Sequence, residues 1–571
     1  MRSVSKAEPA CCKILLPFVE PTGMFISVNE RHSRIESDLP AAGSSKERGD
    51  RAAVAVLIGV GVALFVFVLY LRTLAPTILT YDRPDMLDSA MMQMQVAVLG
   101  ITHPTGYPTY LMLTHLFTYL PFGDVAYRVN LASATYAALA VVVVYWAGLL
   151  LSRRVVAAAT GALAFGLGST LWSQAVITEV YTLNALTLSL AVLALLLWRG
   201  RRTDRYLLLS AFLCGLALTN HMTSGLLLPA SLLFVAAVEW RKLLEWRLVL
   251  KAMGLFLLGL SPYLYLPLRA AMNPPMSANK PTTFERFWYV VSGGNLRESF
   301  FAFGPTELPG RVAFYLGHLL NDFNWVVVMV AMVGAVFLVF RDRPVAILLG
   351  FLYFGWLFHA IENDIPDIQL YFIPTYLVLC LWASVGFGAL LEAVEDVLLV
   401  RLPTAARGAA VIAVSALVLL LPLTVAGKAY AQNDMSGDQR GREIVEVVAE
   451  NAARGATVLH HRSELWYLLL VEERRQDLTI VDPFAHNVMI SWADLVWPDE
   501  MDLATTNLRW GTHDLTGVAT AREAASRGPV YVMDQDDVDP FSFQAAGFRV
   551  IQVEGPLYEL VPPGREPYTR E

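Results

Sequence analysis

Long apolar runs, broken by short polar stretches, dominate this chain until about residue 428. The first, Ala52 to Leu71, holds 20 residues with no charge. At about 1.5 Å per residue, a helix of that length crosses a hydrocarbon core of about 30 Å. Ten more runs have the same character: 129–150, 155–173, 178–198, 206–219, 222–239, 249–268, 323–340, 344–361, 370–390 and 408–427. The pattern predicts a polytopic α-helical membrane protein with about eleven transmembrane helices. The run 206–219 is short for a span. Residues 104–120 are apolar too, but Pro104, Pro108 and Pro121 bracket them, and they read as an interfacial or re-entrant helix.

Composition agrees. Charged residues make up 16% and hydrophobic ones 56% of 571 residues. Soluble domains carry about 25% charged residues. The net charge of -7 gives no field that would gather nucleic acid. Cys11, Cys12, Cys214 and Cys380 have no zinc or disulfide spacing. Residues 1–50 lack a signal-peptide pattern and read as a disordered cytoplasmic tail, with Met24 as an alternative start.

Charge sets the expected orientation. Arg153 and Arg154, the cluster Arg199, Arg201, Arg202 and Arg205, then Arg241, Lys242 and Arg247, Arg341 and Arg343, and Arg401 and Arg407 fall in alternate loops. The opposite loops near 174–177, 220–221 and 362–369 contain no Lys or Arg. The positive-inside rule then puts the N-terminus in the cytoplasm of a plasma-membrane protein and the C-terminal region outside.

The first outer loop carries the candidate chemistry. Asp82, Asp85 and Asp88 lie within seven residues, Arg83 stands among them, and Pro84 can open a helix. Acids beside an apolar helix end are solvated, paired or functional. One of the three could act as a general base toward an acceptor hydroxyl or amide, or Asp85 could simply cap a helix. Next comes the rigid turn His103-Pro104-Thr105-Gly106-Tyr107-Pro108. Arg128, Glu179, Tyr181, Asn184, Asn220, His221 and Arg269 all fall at helix ends on the same expected face. Arg128 and Arg269 suit a phosphate, which a guanidinium grips through a bidentate fork, or they could anchor helices at the interface. The long loop 271–311 is expected to cover a substrate.

Several of these stretches occur together in one known family. Leu99-Gly-Ile-Thr-His103-Pro-Thr-Gly-Tyr-Pro108, Leu120-Pro-Phe-Gly-Asp-Val-Ala-Tyr-Arg128-Val-Asn130 and Trp172-Ser-Gln-Ala-Val-Ile-Thr-Glu179-Val-Tyr181-Thr-Leu-Asn184 follow in order. Thr219-Asn220-His221, Leu266-Pro267-Leu268-Arg269 and Asp364-Ile-Pro-Asp367 complete the series. Together they resemble the membrane family named domain of unknown function 2723. That family is similar to the GT-C glycosyltransferases, which include the protein O-mannosyltransferases. The resemblance implies a GT-C-like helical bundle, a polyprenyl-phosphate sugar donor, and a catalytic aspartate in the first outer loop. The family often shows Asp-Ser-Gly-Glu there, whereas this chain reads Asp88-Ser89-Ala90-Met91. Asp88 is then the first candidate for the base, with Asp82 or Asp85 as stand-ins for the missing glutamate. His103 and Tyr107 join the arginines as candidate donor contacts. No cofactor follows, and a divalent metal stays open.

After residue 428 the chain turns polar. Residues 438–453 read as an amphipathic helix, and 456–459, 478–481, 530–533 and 548–553 as short strands. This predicts a small extracytoplasmic α/β domain over 429–571, behind a membrane domain over 51–428, with acceptor recognition as its expected role. It has no nucleotide-binding fingerprint, which suits a donor already carried on a lipid. His460, His461 and Glu464 stand close in sequence, but adjacent strand residues point apart, which disfavours a metal site.

The leading functional expectation is transfer of a sugar, with mannose the candidate, from a polyprenyl-phosphate donor to a protein or glycan acceptor at the outer face of the bilayer. The alternative is a transporter or flippase of a lipid-linked or small solute. Polar residues at one face rather than at the midplane weigh against transport. A purely structural membrane protein, with the polar cluster anchoring helices, is the third reading.

Overall fold

The structure is a computed structural model, and it describes residues 45–80, 88–294, 299–461, 464–482, 488–491, 517–535 and 538–568. Asp82, Arg83 and Asp85 lie outside the described residues, as do Cys11 and Cys12.

Every apolar run singled out in the sequence is helical. Eight helices are long and apolar enough to cross a membrane, and ten spans result if two bent pairs are counted. The bent pairs are Val155–Leu167 with Ser169–Ala175, turned by 62°, and Leu308–Asp322 with Trp325–Arg341, turned by 112°. The expected count of about eleven therefore falls to eight to ten by length and composition. The eleventh segment, Asp204–Leu218, has 15 residues. Such a helix is about 22 Å long, less than the hydrocarbon thickness. The Pro108–His115 helix and the 3-10 turn Leu116–Tyr119 are shorter still.

Burial separates inner helices from peripheral ones. The apolar window of Tyr181–Arg201 is 89% buried, against 6% for Trp246–Ala271 and 11% for Ala406–Asn433. Tyr181–Arg201 packs on Val125–Ser152, and Ile373–Ala393 packs on Val125–Ser152, Val155–Leu167 and Trp325–Arg341. Peripheral helices keep apolar side chains such as Leu257, Val333 and Ile412 exposed, as lipid-facing surfaces require. Small residues allow the tightest contact. A Cβ on Gly334 would lie 2.0 Å from the Trp382 carbonyl oxygen, and one on Gly386 would lie 2.1 Å from that of Val330. Backbones meet there because neither residue has a side chain.

The loops that carry Arg and Lys gather at one end. Arg154 pairs with Glu395 at 2.7 Å, Arg199 with Asp342 at 2.7 Å, Arg202 with Glu239 at 3.3 Å and Lys242 with Asp204 at 3.1 Å.

Beyond Asn433 the chain forms the Arg440–Asn451 helix and a six-stranded sheet. Its strands are β1 (Thr457–Leu459), β2 (Thr479–Asp482), β3 (Val488–Ser491), β4 (Val530–Met533), β5 (Arg549–Glu554) and β6 (Leu557–Val561). The order is β3-β2-β1-β4-β6-β5, with β1 parallel to β2 and β4 and the outer pairs antiparallel. The short helix Leu465–Leu470 packs on the Ser89–Val98 helix, and one hydrophobic core runs from the membrane bundle into the sheet. Tyr467 accepts from the Ala126 amide at 3.0 Å, and Arg442 donates to Thr77 Oγ1 at 3.2 Å and Asp124 Oδ2 at 2.9 Å.

Candidate active site

The segment Thr73–Thr80 leads toward Asp88 and is fixed by buried polar groups. Asn130 donates to the Ala75 carbonyl at 3.0 Å and accepts from Gln93 at 2.8 Å and Thr178 at 2.6 Å. Gln93 accepts in turn from the Leu79 amide at 3.0 Å. Asn130 and Gln93 are fully buried, so breaking any of these bonds would leave a costly unpaired polar group.

Asp88 is the residue just before the Ser89–Val98 helix. Its Oδ2 lies 3.5 Å from His103 Nε2, and the two side chains are 42% and 37% exposed. His103 is oriented by its turn: the Gly106 amide donates to its carbonyl at 2.8 Å, and Gly106 adopts φ 83°, where a Cβ would be strained. Tyr107 Oη lies 3.4 Å from the same His103 nitrogen.

Beside Asp88, Ser89 Oγ donates to Glu179 Oε1 at 3.2 Å. Glu179 is buried. Burial first, then the negative charges of Asp88 and Asp367, pushes its carboxyl well above the usual carboxylate range. Tyr181 donates to Asp367 Oδ2 at 2.8 Å. Asp367 is also pushed up by burial, while the Tyr181 bond pulls it back. Three carboxyl groups from distant parts of the chain thus act on one another at one end of the bundle.

His221 closes the other side. The Thr109 amide donates to the Thr219 carbonyl at 3.4 Å, which brings the Asn220–His221 turn against the Tyr107–Pro108 turn. Asn184 accepts from Ser224 at 2.7 Å, and Asn220 donates to the Val180 carbonyl at 3.2 Å. These amides stitch the turn to the Tyr181–Arg201 helix. The His221 ring lies 6.2 Å from Tyr107, 5.5 Å from Tyr181 and 5.2 Å from Tyr371. Its Nδ1 accepts from the Thr223 amide at 3.4 Å, so the ring proton sits on Nε2. Burial and the nearby His359 push its pKa down to about 3, and it is neutral at physiological pH.

Tyr107, His221 and Tyr371 also line a narrow recess that runs past Phe300 and His359. There it joins a cavity of about 390 Å³ walled by Leu226, Phe300, Phe301, Gly355 and Phe358, with Glu362 at its side. A polar cluster therefore connects to an apolar groove. Among the described residues no group of three or more His, Cys, Asp or Glu could hold a metal ion.

Two expected residues have other partners. Arg128 donates to the carbonyls of Phe122 at 2.9 Å, Thr118 at 2.7 Å and Gly123 at 2.8 Å. Arg269 donates to those of Leu99 at 2.7 Å and Val98 at 2.9 Å, at the C-terminal end of the Ser89–Val98 helix. That helix has ten residues, so Arg269 stands about 15 Å from the Asp88 end. A planar guanidinium can satisfy several carbonyls at once, and both arginines do so here, as the helix-anchoring alternative expects. Conversely, Asp367 and Tyr371 belong to the cluster, although no site role follows from the sequence for either. The only signal was the motif Asp364-Ile-Pro-Asp367 just before an apolar run.

Comparison with known proteins adds the following. The model of the Protein O-mannosyl-transferase TMEM260 N-terminal domain matches residues 88–244, which start at Asp88 and include His103, Glu179 and His221. The chain is 29% identical over 187 residues to Protein O-mannosyl-transferase TMEM260 of Mus musculus, covering 31% of this chain and 26% of that protein. It is 22% identical over 314 residues to Protein O-mannosyl-transferase tmem260 of Dictyostelium discoideum, covering 48% of this chain and 37% of that one. These matches span only about a quarter to two fifths of the relatives' own length. Among solved structures, ArnT from Cupriavidus metallidurans bound to undecaprenyl phosphate superposes with a TM-score of 0.56 at 15% identity, covering 88% of this chain and 97% of that one. Apo ArnT gives 0.54 at 14% identity, covering 89% and 98%. The chain is thus a multi-pass membrane protein with a GT-C-like fold, and the segment holding most of its polar cluster is similar to the N-terminal domain of protein O-mannosyl-transferases.

Proposed function

We propose that the protein is a membrane glycosyltransferase that moves a sugar, with mannose the first candidate, from a polyprenyl-phosphate carrier to a hydroxyl of a protein or glycan acceptor. The observation that carries this reading is the junction of a half-open Asp88–His103 pair with a polar cluster and an apolar groove. A lipid-linked donor needs that combination, since its isoprenoid is apolar and its reacting carbon is polar. The relatives named as protein O-mannosyl-transferases and the ArnT complex with undecaprenyl phosphate point the same way.

In this reading the isoprenoid lies along Leu226, Phe301 and Phe358, and the phosphate and sugar reach past Tyr371 toward Asp88. Asp88 accepts the acceptor's proton as its oxygen attacks the anomeric carbon. The bond from that carbon to the phosphate oxygen breaks, and polyprenyl phosphate leaves with the electron pair. One carboxylate acting as base gives inversion. His103 and Tyr107 orient Asp88 and offer hydrogen bonds to the phosphate. Glu179, whose carboxyl burial pushes up, and the Tyr181–Asp367 pair hydrogen-bond the sugar hydroxyls. His221, neutral with its proton on Nε2, is a donor toward the same space, and Asn184 and Asn220 hold it there.

By the distribution of Arg and Lys, this site faces away from the cytoplasm and the C-terminal sheet lies on the same side. The sheet's contact with the Ser89–Val98 helix suits a role in presenting the acceptor. Incubation of the purified chain with polyprenyl-phosphate mannose labelled in the sugar, together with acceptor protein, tests the reading. Label transferred by the wild type and not by Asp88→Asn is the expected result. Label that crosses a bilayer without being transferred would instead identify a transporter.

A further inference from the structure

A second cleft lies at the arginine-rich end of the bundle, away from Asp88. It is bounded by the helices Asp204–Leu218, Leu227–Glu239 and Trp246–Leu260. The first and third of these touch backbone to backbone at Gly215 and Gly259. A Cβ on Gly215 would lie 2.2 Å from the Phe256 carbonyl oxygen, and one on Gly259 would lie 2.2 Å from that of Phe212. On the arginine-rich side of this crossing a cavity of about 320 Å³ opens between the helices. Leu207, Ala211, Leu232, Val235, Ala252 and Met253 are among the residues of its wall. Leu232 and Met253 are also among the exposed apolar side chains, so the cavity opens on a peripheral face of the bundle.

Lys242 stands at one end of the cavity, held by Asp204 and Glu245 at 3.1 Å each. Trp240 and Trp246 are 58% and 65% exposed close by, under the guanidiniums of Arg241 and Arg247. Exposed Trp beside Arg and Lys marks the level of the lipid headgroups. Arg241, Arg247 and Lys251 form no ion pair among the described residues, so this rim presents net positive charge.

We propose that this cleft is a binding site for one anionic phospholipid, with an acyl chain in the cavity and its phosphate against Arg241, Arg247 and Lys251. Apart from Ser210, Ser231 and Lys242 the wall is apolar, which suits a hydrocarbon chain better than a file of ordered water. Basic pockets between transmembrane helices on the arginine-rich side select anionic headgroups. The lipid would brace three helices whose far ends lead into the His221 turn and the Arg269 helix.

The test is native mass spectrometry of the full chain, purified in detergent with equal amounts of palmitoyl-oleoyl phosphatidylglycerol and phosphatidylcholine. One phosphatidylglycerol should be retained in preference to phosphatidylcholine by about tenfold or more. The variant carrying Arg247→Gln and Lys251→Gln should bring the two lipids to near parity while a lipid is still retained. Ala252→Trp should fill the cavity and cut retention of both by about tenfold. If that variant does not insert, Ala211→Leu on the facing helix serves the same purpose with less added volume. Equal retention of the two lipids by the wild type would overturn the headgroup assignment. Undiminished phosphatidylglycerol in a folded cavity-filling variant would show annular lipid only and overturn the site.

Discussion

Tyr181 donates its hydroxyl to the Asp367 carboxylate at 2.8 Å across 186 residues of sequence. The bond ties the start of one inner helix to the residue before another, and it sets a second carboxyl group opposite Asp88. A hydrogen bond to a charged group contributes about 1.5–3 kcal/mol, and at this half-buried carboxylate water would replace the lost partner only in part. Tyr181→Phe should therefore lower the melting temperature of the detergent-solubilised protein and raise KM for the donor more than it lowers kcat. A variant with wild-type melting and kinetics would show that the bond is incidental.

Asp88 is proposed as the base, so Asp88→Asn should reduce transfer by about 100- to 10,000-fold with little loss of stability, because the side chain is half-exposed. His103→Gln should give a smaller loss, since His103 orients that carboxylate and offers the phosphate a hydrogen bond but does not take the acceptor's proton. The check is single-turnover transfer after equal membrane insertion has been confirmed. If Asp88→Asn stays active, Asp82→Asn and Asp85→Asn are the next variants, and activity in all three removes the aspartate mechanism.

The Glu179 carboxyl has a raised pKa in the folded protein because it is buried beside two other acids. Between the ordinary Glu value of about 4.3 and that higher folded value, the native state binds more protons than the unfolded state. Stability contributed at this site therefore falls as pH rises through that window, and below it the effect vanishes. Glu179→Gln keeps an acceptor for Ser89 and carries no charge. It should match the wild type near pH 4 and melt higher at pH 8. A difference independent of pH would mean that Glu179 is not titrating as its burial implies.

Arg128 and Arg269 each satisfy two or three backbone carbonyls. Replacing either by Ala should lower stability by about 1–3 kcal/mol and reduce membrane yield, with KM for the donor unchanged in the protein that folds. Arg→Lys should rescue little, because an ammonium lacks the planar fork. A large rise in KM at normal stability would return these residues to the phosphate.

Arg442 joins the C-terminal part to the segment that leads into Asp88, through Thr77 and Asp124, and it also pairs with Glu472. Arg442→Gln should slow transfer at saturating donor while leaving the bundle's thermal transition within about 1–2 kcal/mol of the wild type, since the pair is only partly buried. Limited proteolysis of the sheet, compared between wild type and variant, should show earlier cleavage if this contact braces the two parts.

The position of nearly every helix was legible in the sequence, because an apolar run must be helical in lipid and its length is written in residues. The same held for β1, β2, β4 and β5 and for the Arg440–Asn451 helix, whose apolar alternation and amphipathic period are local signals. β3 and β6 carried weaker local signals and were not anticipated. The clustering of Asp88, His103, Glu179, Tyr181 and His221 could be foreseen from helix-end positions alone. What each side chain does there could not. Arg128 and Arg269 looked like anion ligands by residue type, but only the folded chain shows which carbonyls lack partners, and those carbonyls hold the guanidiniums. Asp367 meets the field of Asp88 from 279 positions further along the sequence, and no periodicity encodes a meeting at that range. The bend at Gly168 breaks the run 155–173 into two helices, and the bend at Phe323 sets the helix Leu308–Asp322, which no apolar run foretold, against Trp325–Arg341, because bend angles depend on neighbouring helices rather than on hydropathy. The cleft behind Lys242 likewise exists only because three helices cross at Gly215 and Gly259 and then part. Local chemistry thus determined which elements form, and packing decided which polar groups were already engaged and which were left facing the groove.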